Sequence, residues 1–176
     1  MKLIITLATT CAVLSAPAFA QSATTPRATG ATPTSPTIST PEFVNKAIES
    51  NMFDVRAARM AEQKGDRGDG NFARLDVRDH TKVTDDLKMM VNTGKVNAKI
   101  PSAVDNDQQA KLDELANLWG KSFDDAYSRD QRESHQNEIG LFQRYAQNGD
   151  NPTLRQWATK MLPELKSHLI YTQRLG

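Results

Sequence analysis

From Pro41 onward, apolar residues return every third or fourth position, the spacing of a buried helix face, and no stretch alternates as a half-buried strand would. Helix A starts with Thr40 as N-cap, Pro41 in the first turn and Glu42 beside it. Val44, Ile48, Val55 and Ala58 share its inner face, flanked by Phe43, Met52 and Phe53. The stretch Gly65-Asp66-Arg67-Gly68-Asp69-Gly70 reads as the connection that ends it. Its Arg67-Gly68-Asp69 triplet looks like an adhesion motif, but such short matches arise by chance and a glycine-rich connection explains all six residues. Helix B then runs from about Asn71 to Val91, with Ala73, Val77, His80, Thr84, Leu87 and Val91 as its seam.

Residues Asn92 to Asn106 contain Gly94 and Pro101 and read as a loop. Asp105 and Gln108 have the spacing of a capping box and open a helix carrying Leu112, Leu115, Ala116 and Trp119. Gly120 bends or breaks it, and Ser122 with Asp125 restarts it as helix C, which carries Phe123, Tyr127, His135, Ile139, Phe142 and Ala146. Helix D has Asn151 as N-cap and Pro152 in its first turn. Leu154, Ala158, Met161, Leu165, His168 and Thr172 form its seam, and Pro163 within it is expected to kink the helix. The pattern predicts an all-α fold over residues 41–176: an antiparallel four-helix bundle whose third helix is broken or kinked near Gly120.

The N-terminus follows another pattern. Met1-Lys2, an apolar run from Leu3 to Leu14, and Ala18-Phe19-Ala20 make the three parts of a secretory signal peptide, cleaved after Ala20. Pro17 interrupts the run before it reaches the ~20 residues a spanning helix needs. Cys11 lies within the apolar run and leaves with it, so the exported chain must hold together by packing alone, without disulfides. Residues 21–40, rich in Ser, Thr, Ala and Pro, read as a disordered tether. The expected location is the periplasm or another site outside the cytoplasm.

Charge then removes partners. Of the 22 basic residues only Lys2 lies in the signal, which leaves 21 against 21 acidic ones, interspersed without a basic stripe. Nucleic acid and anionic membrane surfaces are therefore poor partners. No helix after Ala20 is apolar enough to span a membrane.

The chain has three histidines, His80, His135 and His168, one in the apolar stripe of each of three helices. Bundle interiors build metal and cofactor sites from facing helices, and imidazole is the commonest metal ligand. Three core histidines hydrogen-bonded to neighbours such as Asp79 and Glu138 are the structural alternative. The Glu-x-x-His motif of di-iron bundles is absent, since Val77, Arg132 and Leu165 stand three residues before the histidines. Asp76 and Glu164, four residues before His80 and His168, lie on the histidine side of their helices but are weak substitutes. There is no cysteine after the signal, no phosphate loop and no Gly-x-Ser-x-Gly elbow. The methionines read as core filler.

Several segments, in this order, resemble an exported bacterial family, the domain of unknown function 4142. They are Phe72-Ala73, Val77-Arg78-Asp79-His80-Thr81, Ile100-Pro101, Gly120 with Phe123-Asp124 and Tyr127, His135 with Leu141-Phe142, and Leu162-Pro163-Glu164-Leu165-Lys166-Ser167-His168-Leu169. The resemblance spans residues 43–175 and implies a ferritin-like bundle with no established activity. It also implies that His80, His135 and His168 act together, with Asp54, where the family usually has Glu, as a fourth metal ligand. Asp76 stands where the family usually has an apolar residue. Two functions follow as expectations. One is a non-enzymatic role, binding or stabilising a protein partner in the envelope. The other is binding of a transition metal, or redox chemistry, through the three histidines.

Overall fold

The computed structural model describes residues 37–175, so the expected signal peptide, its cleavage point, Cys11 and most of the tether lie outside the described residues. Five helices follow one another: α1 (Thr40–Lys64), α2 (Arg67–Asn92), α3 (Asn106–Asn117), α4 (Lys121–Asn148) and α5 (Pro152–Thr172). Among the described residues there is no strand, and no helix is long and apolar enough to cross a membrane.

The helix ends explain most departures from expectation. Ser39, not Thr40, caps α1 by accepting from the Glu42 amide. Thr40 is instead buried, donating its amide to Asp150 Oδ1 at 3.0 Å while its hydroxyl meets Asp150 and Tyr145. Ile38 packs in the core at 8% exposure, so the packed domain begins inside the stretch assigned to the tether. The glycine-rich connection is shorter than expected as well. Asp66 caps α2 by accepting from the Asp69 amide at 2.9 Å, and residues 67–70 form the first helical turn rather than a loop.

The predicted break in the third helix is complete. α3 carries the expected capping box of Asp105 and Gln108, and Leu118 to Gly120 separate it from α4. Gly120 adopts φ +55, a left-handed conformation suited to glycine, and takes the N-cap place expected of Ser122. Lys64 Nζ, at the end of α1, donates to the carbonyls of Leu115, Ala116 and Leu118 at and just past the end of α3, where Leu115 O also accepts the Leu118 amide. Trp119, expected on the apolar side, is 68% exposed, with Lys64 Nζ 4.6 Å from its ring centre. Asn151 caps α5 as expected, and α5 runs on from Pro152 to Thr172 with Pro163 inside it.

Short connections fold α1 back on α2 and α4 back on α5, and these two hairpins pack chiefly through α1 and α4. Apolar burial gathers at two levels. One cluster holds Phe43, Val44, Ile48, Val83, Leu87, Phe142, Tyr145, Leu154 and Leu165; the other holds Phe53, Ala57, Phe72, Leu112, Leu115, Phe123 and Tyr127. Each fully buried large side chain contributes roughly 1.5–3 kcal/mol. Along every long helix the residues between these clusters are polar yet buried: Asn51 and Asp54 on α1, Asp76 and His80 on α2, Gln131, His135 and Glu138 on α4, with His168 next on α5. The core is thus two oily layers enclosing a polar one.

Candidate metal centre

The three histidines meet in the polar layer. His80 Nε2 lies 3.2 Å from His135 Nε2, which lies 3.4 Å from His168 Nδ1. Asp76 Oδ1 sits among them, 3.2 Å from His80 Nε2 and 3.3 Å from each of His135 Nε2 and His168 Nδ1. All four residues are at most 2% exposed. Phe72 covers one side, its ring centre 6.0 Å from that of His135 and 5.8 Å from that of His168.

Hydrogen bonds on the outer ring nitrogens fix which atoms face the centre. His135 Nδ1 is 2.8 Å from the Gln131 carbonyl oxygen, which can only accept, so Nδ1 carries the proton and Nε2 turns a lone pair inward. His168 Nε2 donates to Asp79 Oδ2 at 3.1 Å. His80 Nδ1 donates to Asn51 Oδ1 at 2.7 Å, because the Asn51 amide nitrogen is turned to Ala47 O and Glu138 Oε1. Each histidine is therefore held by an acceptor behind it, the outer arrangement typical of metal-bound imidazole. Asp79 in turn receives Arg78 Nε at 2.7 Å and Nη2 at 3.1 Å.

The electrostatics follow from burial and closeness. Burial alone would push the Asp76 carboxyl up, but the charge of His80 and contacts with all three rings hold it well below the usual range. Burial would lower His80, and the carboxylates of Asp76, Glu138 and Asp54 outweigh it, raising the ring well above its ordinary value. His135 is raised too, its contact with Asp76 overcoming burial. Burial raises Asp54 and carries Glu138 to about 7 against the opposing charge of His80.

The donor atoms suit a metal ion. Five of the six separations among them are 3.2–3.4 Å, and all lie within 4.8 Å. A regular tetrahedron with such edges has its centre roughly 2.0 Å from each corner, the length of a zinc–nitrogen or zinc–oxygen bond. Both oxygens of Asp76 lack a hydrogen-bond donor in the usual geometry, which leaves Oδ1 free to serve as the fourth corner.

Asp54 does not join this set. It faces the opposite nitrogen of His80, with Oδ2 3.9 Å from Nδ1, and Glu138 Oε2 lies 3.8 Å from the same atom. Asp79 partners His168 rather than adjacent His80, because neighbours on a helix point apart, and Glu164 is grouped with them. Asn51 is not among the residues the sequence singles out, and Asp76, a weak substitute there, lies among the three rings. The available signal was that Asp76 stands one turn before His80, on the same side of α2.

Residues 23–175 match the family described as Domain of unknown function (DUF4142). The chain belongs to this family. No curated protein is similar enough to match. The DUF4142 chain also resembles the solved structure of CopM in the Cu(II)-bound form. The TM-score is 0.66 at 15% identity, over 79% of this chain and 96% of that one. At that identity the likeness concerns the fold, and it agrees with an all-helical bundle.

Proposed function

We propose that this protein is an exported metal-binding protein that holds one divalent copper or zinc ion through His80, His135, His168 and Asp76. The observation that carries the reading is the set of four inward donor atoms, five of whose six separations are 3.2–3.4 Å, with every histidine anchored from behind. Three imidazoles and one carboxylate, without thiolate, suit divalent copper or zinc better than copper(I) or magnesium. The spacing favours zinc geometry, whereas the affinity order of divalent metals favours copper. The Cu(II)-bound form of CopM, on a similar fold, makes copper the first ion to try.

Four protein ligands fill a tetrahedral site and leave no open position, as in structural rather than catalytic metal centres. We therefore read the protein as one that binds rather than catalyses, in the periplasm or envelope to which its leader would direct it. Asp79, Val83, Met161 and Glu164 line a tight crevice that also borders His80 and His168.

Elemental analysis of protein purified without chelator or histidine tag tests this, together with melts in Cu(II) and Zn(II). Near-stoichiometric metal is expected. At a thousandfold excess over Kd the ion adds about 4 kcal/mol, or roughly 8–16 °C in Tm. His135→Gln should remove the gain. If neither ion binds nor shifts the melt, the histidines are core residues and a protein partner in the envelope becomes the better reading.

A further inference from the structure

Behind the His80 ring, away from Asp76, two buried carboxylates share a gap. Asp54 Oδ2 and Glu138 Oε2 lie 3.9 and 3.8 Å from His80 Nδ1, beyond hydrogen-bond length, and neither oxygen has a hydrogen-bond partner. Both residues are at most 1% exposed. Their other oxygens have long contacts, Asp54 Oδ1 with Gln131 Nε2 at 3.4 Å and Glu138 Oε1 with Asn51 Nδ2 at 3.5 Å, and the Ser134 hydroxyl also approaches Asp54. Unpaired carboxylate oxygens in a dry interior are costly, and a cation between them relieves the cost. A ligand atom from each of Asp54, Glu138 and His80 lies within 4.8 Å of the other two. A circle through three points so spaced has a radius of roughly 2.1–2.5 Å, the range of metal–oxygen and metal–nitrogen bonds.

We propose that Asp54, Glu138 and Nδ1 of His80 form a second cation site, so that the His80 ring bridges two divalent ions. This rests on the first site being a metal site, because the bridge needs an ion at Nε2. Binding at Nδ1 displaces the proton now donated to Asn51 Oδ1 at 2.7 Å, which leaves to solvent; the Asn51 carboxamide must turn aside from that direction, and the ring becomes an imidazolate. The charges then balance. Two divalent ions bring four positive charges, and Asp54, Asp76, Glu138 and the imidazolate bring four negative ones. A single ion in the first site would leave the second pair of carboxylates without a counter-charge.

The test is a Cu(II) titration of the metal-free full chain, followed by equilibrium dialysis and electron paramagnetic resonance. Two equivalents should bind. The first should give the signal of an isolated Cu(II), and the second should quench it as the two spins couple through the ring. The Asp54→Asn/Glu138→Gln double variant should stop at one equivalent with its full signal, and Asp54→Asn alone covers a failure of that variant to fold. Saturation of wild type at one equivalent, lost in Asp76→Asn, would overturn the second site and leave the first standing. A second equivalent whose signal simply adds to the first would overturn the bridge. No binding at all would overturn both sites.

Discussion

Asp79→Ala removes the acceptor that holds His168 Nε2 at 3.1 Å and thereby points Nδ1 at the centre. Asp79 touches none of the inward donor atoms, so the substitution tests whether the outer hydrogen bonds orient the ligands. Losing such a partner weakens metal binding about 10–100-fold, or roughly 1.4–2.7 kcal/mol. Folding also loses about 1–3 kcal/mol for the buried His168 Nε2–H left without an acceptor, while Arg78, 71% exposed, returns to water, so affinity is compared with the stability of the metal-free variant. Competition against a chromogenic chelator at fixed pH measures Kd, and a melt of the metal-free protein measures stability. A cycle with His168→Gln completes the test. Once the imidazole is gone, Asp79→Ala should cost almost nothing. If instead the two effects add to within about 0.5 kcal/mol, Asp79 does not act through His168 and the orientation argument fails. Unchanged affinity in Asp79→Ala would refute it just as directly.

Two further outcomes are expected. In metal-free protein, burial raises the Glu138 carboxyl from its ordinary 4.5 to about 7. A carboxyl raised in the folded state stabilises fully below its unfolded pKa, and that contribution is lost as pH climbs through the folded one. Stability should therefore fall between pH 4.5 and about 7. Urea melts of Glu138→Gln should show a shallower fall over this window, and an identical slope would count against the assignment. At the other end of the molecule, Lys64→Met removes the side-chain donor from the Leu115, Ala116 and Leu118 carbonyls, of which Leu115 keeps the Leu118 amide. It should cost about 1–2 kcal/mol, or roughly 2–8 °C in Tm, with faster amide exchange near the end of α3. An unchanged melt would show that these bonds add nothing.

Much of this could be read in the chain because helix periodicity and end chemistry are local. The caps at Asp105 and Asn151 and the break at Gly120 depend on a few adjacent residues, and all three are found where the sequence puts them. Errors came where tertiary contact decides. The sequence pattern puts the seam of α2 through Val77, Thr84 and Val91, yet Asp76, Val83 and Met90 are the buried positions beside His80 and Leu87. A hydrophobicity pattern steers around a carboxylate, so it turned the face by one residue and pushed Asp76 aside. Trp119 was placed inward for the opposite reason: its apolar bulk fits the pattern, but the turn at Gly120 leaves it outside against Lys64. The three histidines were visible as candidates, while their meeting depends on how two hairpins register. Asn51 gave no sign, because an amide on an apolar face means little until its partner is known.

The inward donors are divided evenly between those hairpins. Asp76 and His80 belong to the first, His135 and His168 to the second. Either half alone offers two ligands, too few to keep an ion from water or from a competing chelator. A chain threaded through a membrane before folding would therefore travel empty. On the proposed reading, the ion would be captured only at the destination, as the halves close on one another, so that cargo and compartment would be matched by the order of events rather than by selectivity of the ligands.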